Sequence, residues 1–305
     1  MLINNTNKTQ KNHKKVNPGV LFVIPALIYM LVFVGYPIIS NFILSFQDVT
    51  VQTINQPDKP FIGFDNYIKF LSDPVLVRAI INTFLFTIAC IFFQFAFGFA
   101  LALFFNQKFT LAKPIRGLLI IPWMIPITIS SLIFKFMFTS NVGIINEMLK
   151  AIGLAPLDWL QQPRTAMAAL IVANIWIGIP FNMILLSAGL TTIPKTLYES
   201  ASIDGANGVQ SFFKITLPML KPTIGSVLIL GIIYTFKVFD LVLVMTNGGP
   251  VNSTQVLSTY SYKLSFSLFK YSEGATVANI LFVILFFISL IYIKLFFSGD
   301  TTDER

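Results

Sequence analysis

Six runs of mostly apolar residues dominate this sequence, near positions 18–42, 79–105, 116–138, 166–190, 223–246 and 275–297. Each is long enough to cross a bilayer as a helix, which takes about 20 residues at about 1.5 Å apiece. The chain is therefore expected to be an all-α polytopic membrane protein. Its 305 residues are consumed by spans and short connections rather than by two soluble domains. Composition agrees, since 55% of residues are hydrophobic and 11% charged, where a soluble domain carries roughly 25% charged residues.

The residue inventory closes several chemistries. Cys90 is the only cysteine and lies in an apolar run, which removes an intrachain disulfide and a cysteine metal site. His13 is the only histidine and belongs to a polar amino terminus, so Ser-His-Asp, HExxH and histidine proton-relay schemes fall together. A net charge of +8 in such a chain reports orientation before nucleic-acid binding, and no nucleic-acid partner is expected. Lys8, Lys11, Lys14 and Lys15 precede the first run as in a signal peptide. The run from Val16 to Phe46 is too long for a signal core and has no A-x-A cleavage pattern, so it reads as an uncleaved span.

Six spans put both ends on one side. Lysine and arginine concentrate in the amino-terminal tail, in Lys108, Lys113 and Arg116, in Lys195, Lys214 and Lys221, and in Lys294 and Arg305. The opposite connections carry fewer, diluted by acids such as Asp48, Asp65, Glu147 and Glu273. The positive-inside bias makes both termini cytoplasmic. The expected organisation is a basic tail (1–15), a six-helix transmembrane domain (16–297) containing a polar cytoplasmic loop (191–222), and a second tail (298–305). No repeat symmetry relates the halves.

That loop is the most polar stretch in the second half of the chain. Thr191-Thr192-Ile193-Pro194 supplies capping hydroxyls and a proline suited to a first helical turn, so a short helix should start near 194. It should end at Asp204-Gly205, where glycine accepts positive φ. Asp204 is then expected to cap a second short helix through Phe213, before Pro218 and Pro222 introduce the next span. Ser200, Ala201 and Ser202 keep the first helix slender, and Glu199 projects from it as a lone acid.

The string Glu199-Ser200-Ala201, Asp204-Gly205-Ala206, Phe213, Ile215, Leu217-Pro218 and Pro222 resembles the EAA motif of binding-protein-dependent ABC importer permeases. Ser200 stands where that family usually has alanine. Further similar pieces occur in order, among them Asn66-Tyr67, Asp73-Pro74, Gly143 with Ile145-Asn146, Trp159-Leu160, Phe239-Asp240 and Met245-Thr246-Asn247-Gly248-Gly249-Pro250. The last two resemble the carbohydrate branch. Phe134 followed by Lys135 occupies the place of a tryptophan often seen late in the third span. The resemblance implies a type I ABC importer permease-like fold in a bacterial-type plasma membrane. It also implies that Glu199, Ser200, Ala201, Asp204, Gly205, Ala206, Leu217 and Pro218 contact an ATPase. Implied partners are a second permease chain, two copies of a cytoplasmic ATPase and an external sugar-binding protein. No G-x-x-x-x-G-K-[ST] segment is present, so no cofactor is expected in this chain and ATP is used by a partner subunit.

A sugar needs amide or hydroxyl partners and an aromatic face near mid-membrane. Asn174, Gly178 and Asn182 follow i, i+4, i+8 spacing in the fourth run, with Trp176 nearby, although an intramembrane asparagine also serves as interhelical glue. Tyr234, Lys237 and Asp240 recur at three-residue spacing in the fifth, where a Lys237–Asp240 ion pair or a snorkelling lysine is the competing reading. Gln94 and Asn279 lack polar companions at helical spacing. Gly98 and Ala102 suit close helix packing. The rival functions are an ion-gradient-driven secondary transporter or channel, which needs intramembrane ionisable sites, and a membrane enzyme, which needs a catalytic constellation the spans lack.

Overall fold

A computed structural model describes residues 18–107 and 109–297. The expected tails, with His13, Lys8, Lys11, Lys14, Lys15 and Arg305, lie outside the described residues, as does Lys108. In chain order the helices that matter are α1 (Phe22–Ser45), α2 (Asp65–Leu71), α3 (Pro74–Asn106), α4 (Ala112–Met124), α5 (Ile127–Met137) and α6 (Ile144–Ala151). They continue with α7 (Pro163–Thr191), α8 (Lys195–Ile203), α9 (Gly208–Phe236), α10 (Asp240–Met245), α11 (Leu257–Tyr262) and α12 (Tyr271–Phe297). Among the described residues there is no strand, only an isolated bridge between Gln47 and Phe61.

The chain divides into two units after Ile43. The first holds α1 as far as Ile43, which is uncharged and takes a wide π turn at Leu31–Gly35, with the Tyr36 amide donating to the Leu31 carbonyl. Pro37 follows it, and a residue without an amide hydrogen loosens the turn it enters. In the second, α3 starts cleanly because the Asp73 carboxylate accepts the Val75 amide at 2.9 Å and Pro74 fills the first turn. Helices α3 and α7 pack closely, with small residues at the seam: Gly98 lies directly under the Asn182 Cβ, and Ala102 is fully buried. Helix α12 is tied to α9 by the Tyr292 hydroxyl donating to the Gly225 carbonyl at 2.6 Å.

Among the described residues five helices are long and apolar enough to span: α1, α3, α7, α9 and α12. Two expected spans are not straight. The run 116–138 is split into α4 and α5, bent by 94°. Pro126 supplies no amide, and it holds Ile125 extended at ψ 133°. The run 223–246 is also redrawn. Its helix begins upstream at Gly208, passes through a π turn at Phe212–Thr216, stops at Phe236, and resumes only at Asp240. No proline or glycine marks that second break. The Val238 carbonyl, freed by the break, accepts a hydrogen bond from Ser258, so a tertiary partner satisfies what the helix gives up.

Candidate functional site

Both breaks open onto one cavity of about 440 Å³. Trp123 and Ile127 border it from the α4–α5 break, and Lys237, Phe239 and Asp240 from the α9–α10 break. Discontinuous helices with their ends at a cavity are the arrangement by which membrane proteins place polar groups at depth without exposing backbone to lipid. Gln94 from α3 and Asn174 from α7 add amides, joined by Gln94 Nε2 donating to the Asn174 carbonyl at 2.8 Å. The Asn174 Nδ2 finds no oxygen acceptor among the described residues. Gly178 lets the Gln94 side chain lie flat against α7, since a Cβ there would come within 2.3 Å of the Gln94 Cδ.

An aromatic strip completes the wall. Trp123 and Phe181 have ring centroids 6.1 Å apart, and Phe181 meets Tyr234 edge-on at 6.0 Å. Of the residues expected along the path, Asn174, Tyr234, Lys237 and Asp240 line this cavity. Trp176 does not line it and packs edge-on against Phe134 at 5.4 Å. Asn182 is buried, donates to the Gly178 carbonyl of its own helix at 2.9 Å, and faces α3 through Gly98. Gln94, Trp123 and Phe181 join the cavity from separate helices, a convergence invisible to spacing along one run.

The Lys237–Asp240 ion pair, one of the two competing readings, is not formed. The described ion pairs are Lys69–Glu273, Lys150–Glu147 and Lys270–Glu273. Lys237 instead sits over the Tyr234 ring, 5.4 Å from its centroid, because the helix break takes its side chain off the turn that i, i+3 spacing assumes. Lys135 reaches across from α5 and donates to the Val244 carbonyl of α10 at 3.0 Å, joining the two segments beyond the breaks.

At the other end of α9 the polar loop forms two helices in a sharp bend. Helix α8 ends as expected: Gly205 takes φ +79°, the Ala206 amide donates to the Ala201 carbonyl at 2.9 Å, and the Gly205 amide to Ser202 at 3.1 Å. The next cap is Asn207 rather than Asp204. Its side chain accepts the Gln210 amide while Gln210 accepts the Asn207 amide, both at 2.9 Å. The helix so begun does not stop at Phe213; it continues as α9, with Leu217 and Pro218 inside it.

No residue of α8 is buried, and Glu199, Ser200, Asp204 and Gly205 are exposed while Ala201 and Ala206 are half-buried. The bend presents apolar side chains outward, with Ile203 87%, Val209 66% and Phe213 60% exposed. Tyr198 anchors α8 to α9, its hydroxyl 2.8 Å from that of Thr216.

Residues 94–300 match the family model described as "Binding-protein-dependent transport system inner membrane component". The chain is 33% identical to the trehalose/maltose transport system permease protein MalF of Thermococcus litoralis, across 94% of this chain and 97% of that one. Its fold is similar to a chain in the crystal structure of a bacterial ABC transporter involved in import of the acidic polysaccharide alginate, with TM-score 0.80, 27% identity and coverage of 93% and 96%. A further crystal structure, of a bacterial alginate ABC transporter in complex with an alginate pentasaccharide-bound periplasmic protein, matches with TM-score 0.78 and 26% identity over 91% and 93%.

Proposed function

The chain belongs to the family of binding-protein-dependent transport system inner membrane components, and from that premise we propose that residues 191–222 couple it to a separate ATPase in a sugar importer. It is a multi-span inner-membrane permease of the sugar and oligosaccharide ABC importers. In this reading both termini are cytoplasmic, which the lysine distribution supports, and the tails 1–15 and 298–305 flank one transmembrane domain. A second permease chain, most often a different one, completes the pore. Two copies of the ATPase and an external sugar-binding protein complete the importer, in keeping with the periplasmic protein bound in the alginate complex.

The observation that carries this reading is the continuity of α9. One helix of 29 residues, about 44 Å long at 1.5 Å per residue, begins at the exposed bend and ends at Tyr234 and Thr235 in the cavity wall. A partner that grips Glu199, Ser200, Ala201, Asp204, Gly205 and Ala206, with Leu217 and Pro218 beneath, therefore moves the cavity wall. Ile203, Val209 and Phe213 give it apolar purchase. The sugar stacks its apolar face on Trp123, Phe181 and Tyr234, and its hydroxyls meet Gln94, Asn174, Lys237 and Asp240. Trp176 and Asn182 support the wall from behind. ATP-driven closure shifts the chain between inward-facing and outward-facing states through their different affinities for partner and sugar.

Reconstitution tests it. Liposomes containing both permease chains, supplied with loaded binding protein, should take up sugar only when the ATPase subunit and ATP are present. Uptake by the permease pair alone, driven by a proton or sodium gradient, would select the secondary-transporter reading instead.

A further inference from the structure

The connection between α5 and α7 holds an element that sugar movement through the cavity does not employ. Helix α6 presents three distinct faces. Ile145 and Leu149 turn inward beside Asn146, which is buried and fully used: its Nδ2 donates to the Ser140 and Leu157 carbonyls at 2.9 Å each, and its Oδ1 accepts the Leu157 amide at 3.0 Å and Trp159 Nε1 at 2.9 Å. A second face carries Glu147 and Lys150, paired with each other at 2.8 Å. The third is aliphatic and exposed: Ile144 and Met148, four residues apart, and Ile152 just past the helix end have 48%, 57% and 72% of their surface free.

We propose that α6 lies in the outer interface of the membrane, with Ile144, Met148 and Ile152 set into the boundary between lipid headgroups and acyl chains. Two media account for two faces, protein for the first and water for the second. A third face that is aliphatic and uncovered needs a third medium, and an amphipathic helix in the interface plane has one. Its depth follows from its anchors. Asn146 bonds to Ser140, just beyond the end of α5, and to Trp159, just before α7 begins. The Trp159 indole packs on Phe138 with centroids 5.3 Å apart and gives its N–H to Asn146, which fixes α6 beside the start of α7, a helix long and apolar enough to cross the membrane. The face is a poor fit for a protein partner. It offers no aromatic or arginine anchor, and the neighbouring charges satisfy each other rather than waiting for complements.

The test uses the assembled transporter in phosphatidylcholine and phosphatidylglycerol liposomes, with Cys90→Ser as background and single cysteines introduced by Met148→Cys, Ile152→Cys and Glu147→Cys. Each cysteine carries an environment-sensitive nitrobenzoxadiazole label. Labels at 148 and 152 should emit at shorter wavelength, be quenched by lipid spin-labelled near the headgroup, and be shielded from aqueous iodide. The label at 147 should behave oppositely. Labels at 148 and 152 that are open to iodide and indifferent to the spin-labelled lipid would place the face in water. Shielding from both quenchers would place it against protein, and either result overturns the proposal.

Discussion

Replacing Gly98 and Gly178 by alanine separates two kinds of close approach at the seam between α3 and α7. A Cβ added at Gly98 would stand 2.5 Å from the Asn182 Cβ and 3.1 Å from the Met183 amide nitrogen. Carbon contacts settle at about 3.5–4.0 Å, so the helices must part by about 1 Å, and neither obstructing atom can rotate away. Overpacking of that kind costs about 1–3 kcal/mol. At Gly178 the obstruction is closer, 2.3 Å, but it is the end of the Gln94 side chain, which can swing aside. What is then lost is the Gln94–Asn174 hydrogen bond in the cavity wall, about 0.6 kcal/mol on average between membrane helices. Thermal unfolding in detergent and sugar uptake in liposomes, measured on both variants, distinguish the two. Gly98→Ala should lower the unfolding midpoint clearly and leave the apparent KM of the folded fraction near wild type; Gly178→Ala should stay close to wild type in stability while raising KM. Equal loss of stability in the two variants, or a Gly98→Ala protein as stable as the parent, would refute the packing and cavity assignments together.

Gly205→Val forces a β-branched residue to φ +79° at about 1–2 kcal/mol, with no atom within 4 Å to clash. It should insert normally yet recover less ATPase on purification, and Glu199→Lys should do the same through charge. Tyr198→Phe removes the anchor to Thr216 and about 1 kcal/mol; it should keep the ATPase bound but lower sugar transported per ATP hydrolysed. Lys237→Met and Asp240→Asn break no ion pair, so both should keep their unfolding midpoints while reducing uptake, and a large drop in stability would mean that one of these charges has a structural partner. Asn146→Ala deletes four hydrogen bonds, and since each nets about 1 kcal/mol, the segment 140–159 should become protease-sensitive in intact liposomes.

Helix content and five of the six spans were legible because those runs announce themselves by length and hydropathy, and the end of α8 because a Schellman turn depends on local residues, with Gly205 at its centre. The α4–α5 break had its signal in Pro126, yet Pro25 and Pro180 lie inside α1 and α7 without a comparable bend, so proline alone did not locate it. The α9–α10 break had no local signal; it depends on Ser258, distant in sequence, meeting the Val238 carbonyl. That break also moved Lys237 away from Asp240, which is why i, i+3 spacing misjudged the pair. Asn207 outcompeted Asp204 as a cap through its reciprocal partner Gln210. The cavity joins Gln94, Trp123, Asn174 and Tyr234 from four helices, a grouping that periodicity within one helix cannot express.

The most direct measurement is site-specific crosslinking at the bend. With Cys90→Ser as background, a cysteine at Ile203 or Val209 carrying a photoreactive group should capture the ATPase subunit in native vesicles during uptake, with a yield that changes when ATP is trapped. Vesicles that import sugar while neither position ever captures an ATPase would contradict the account.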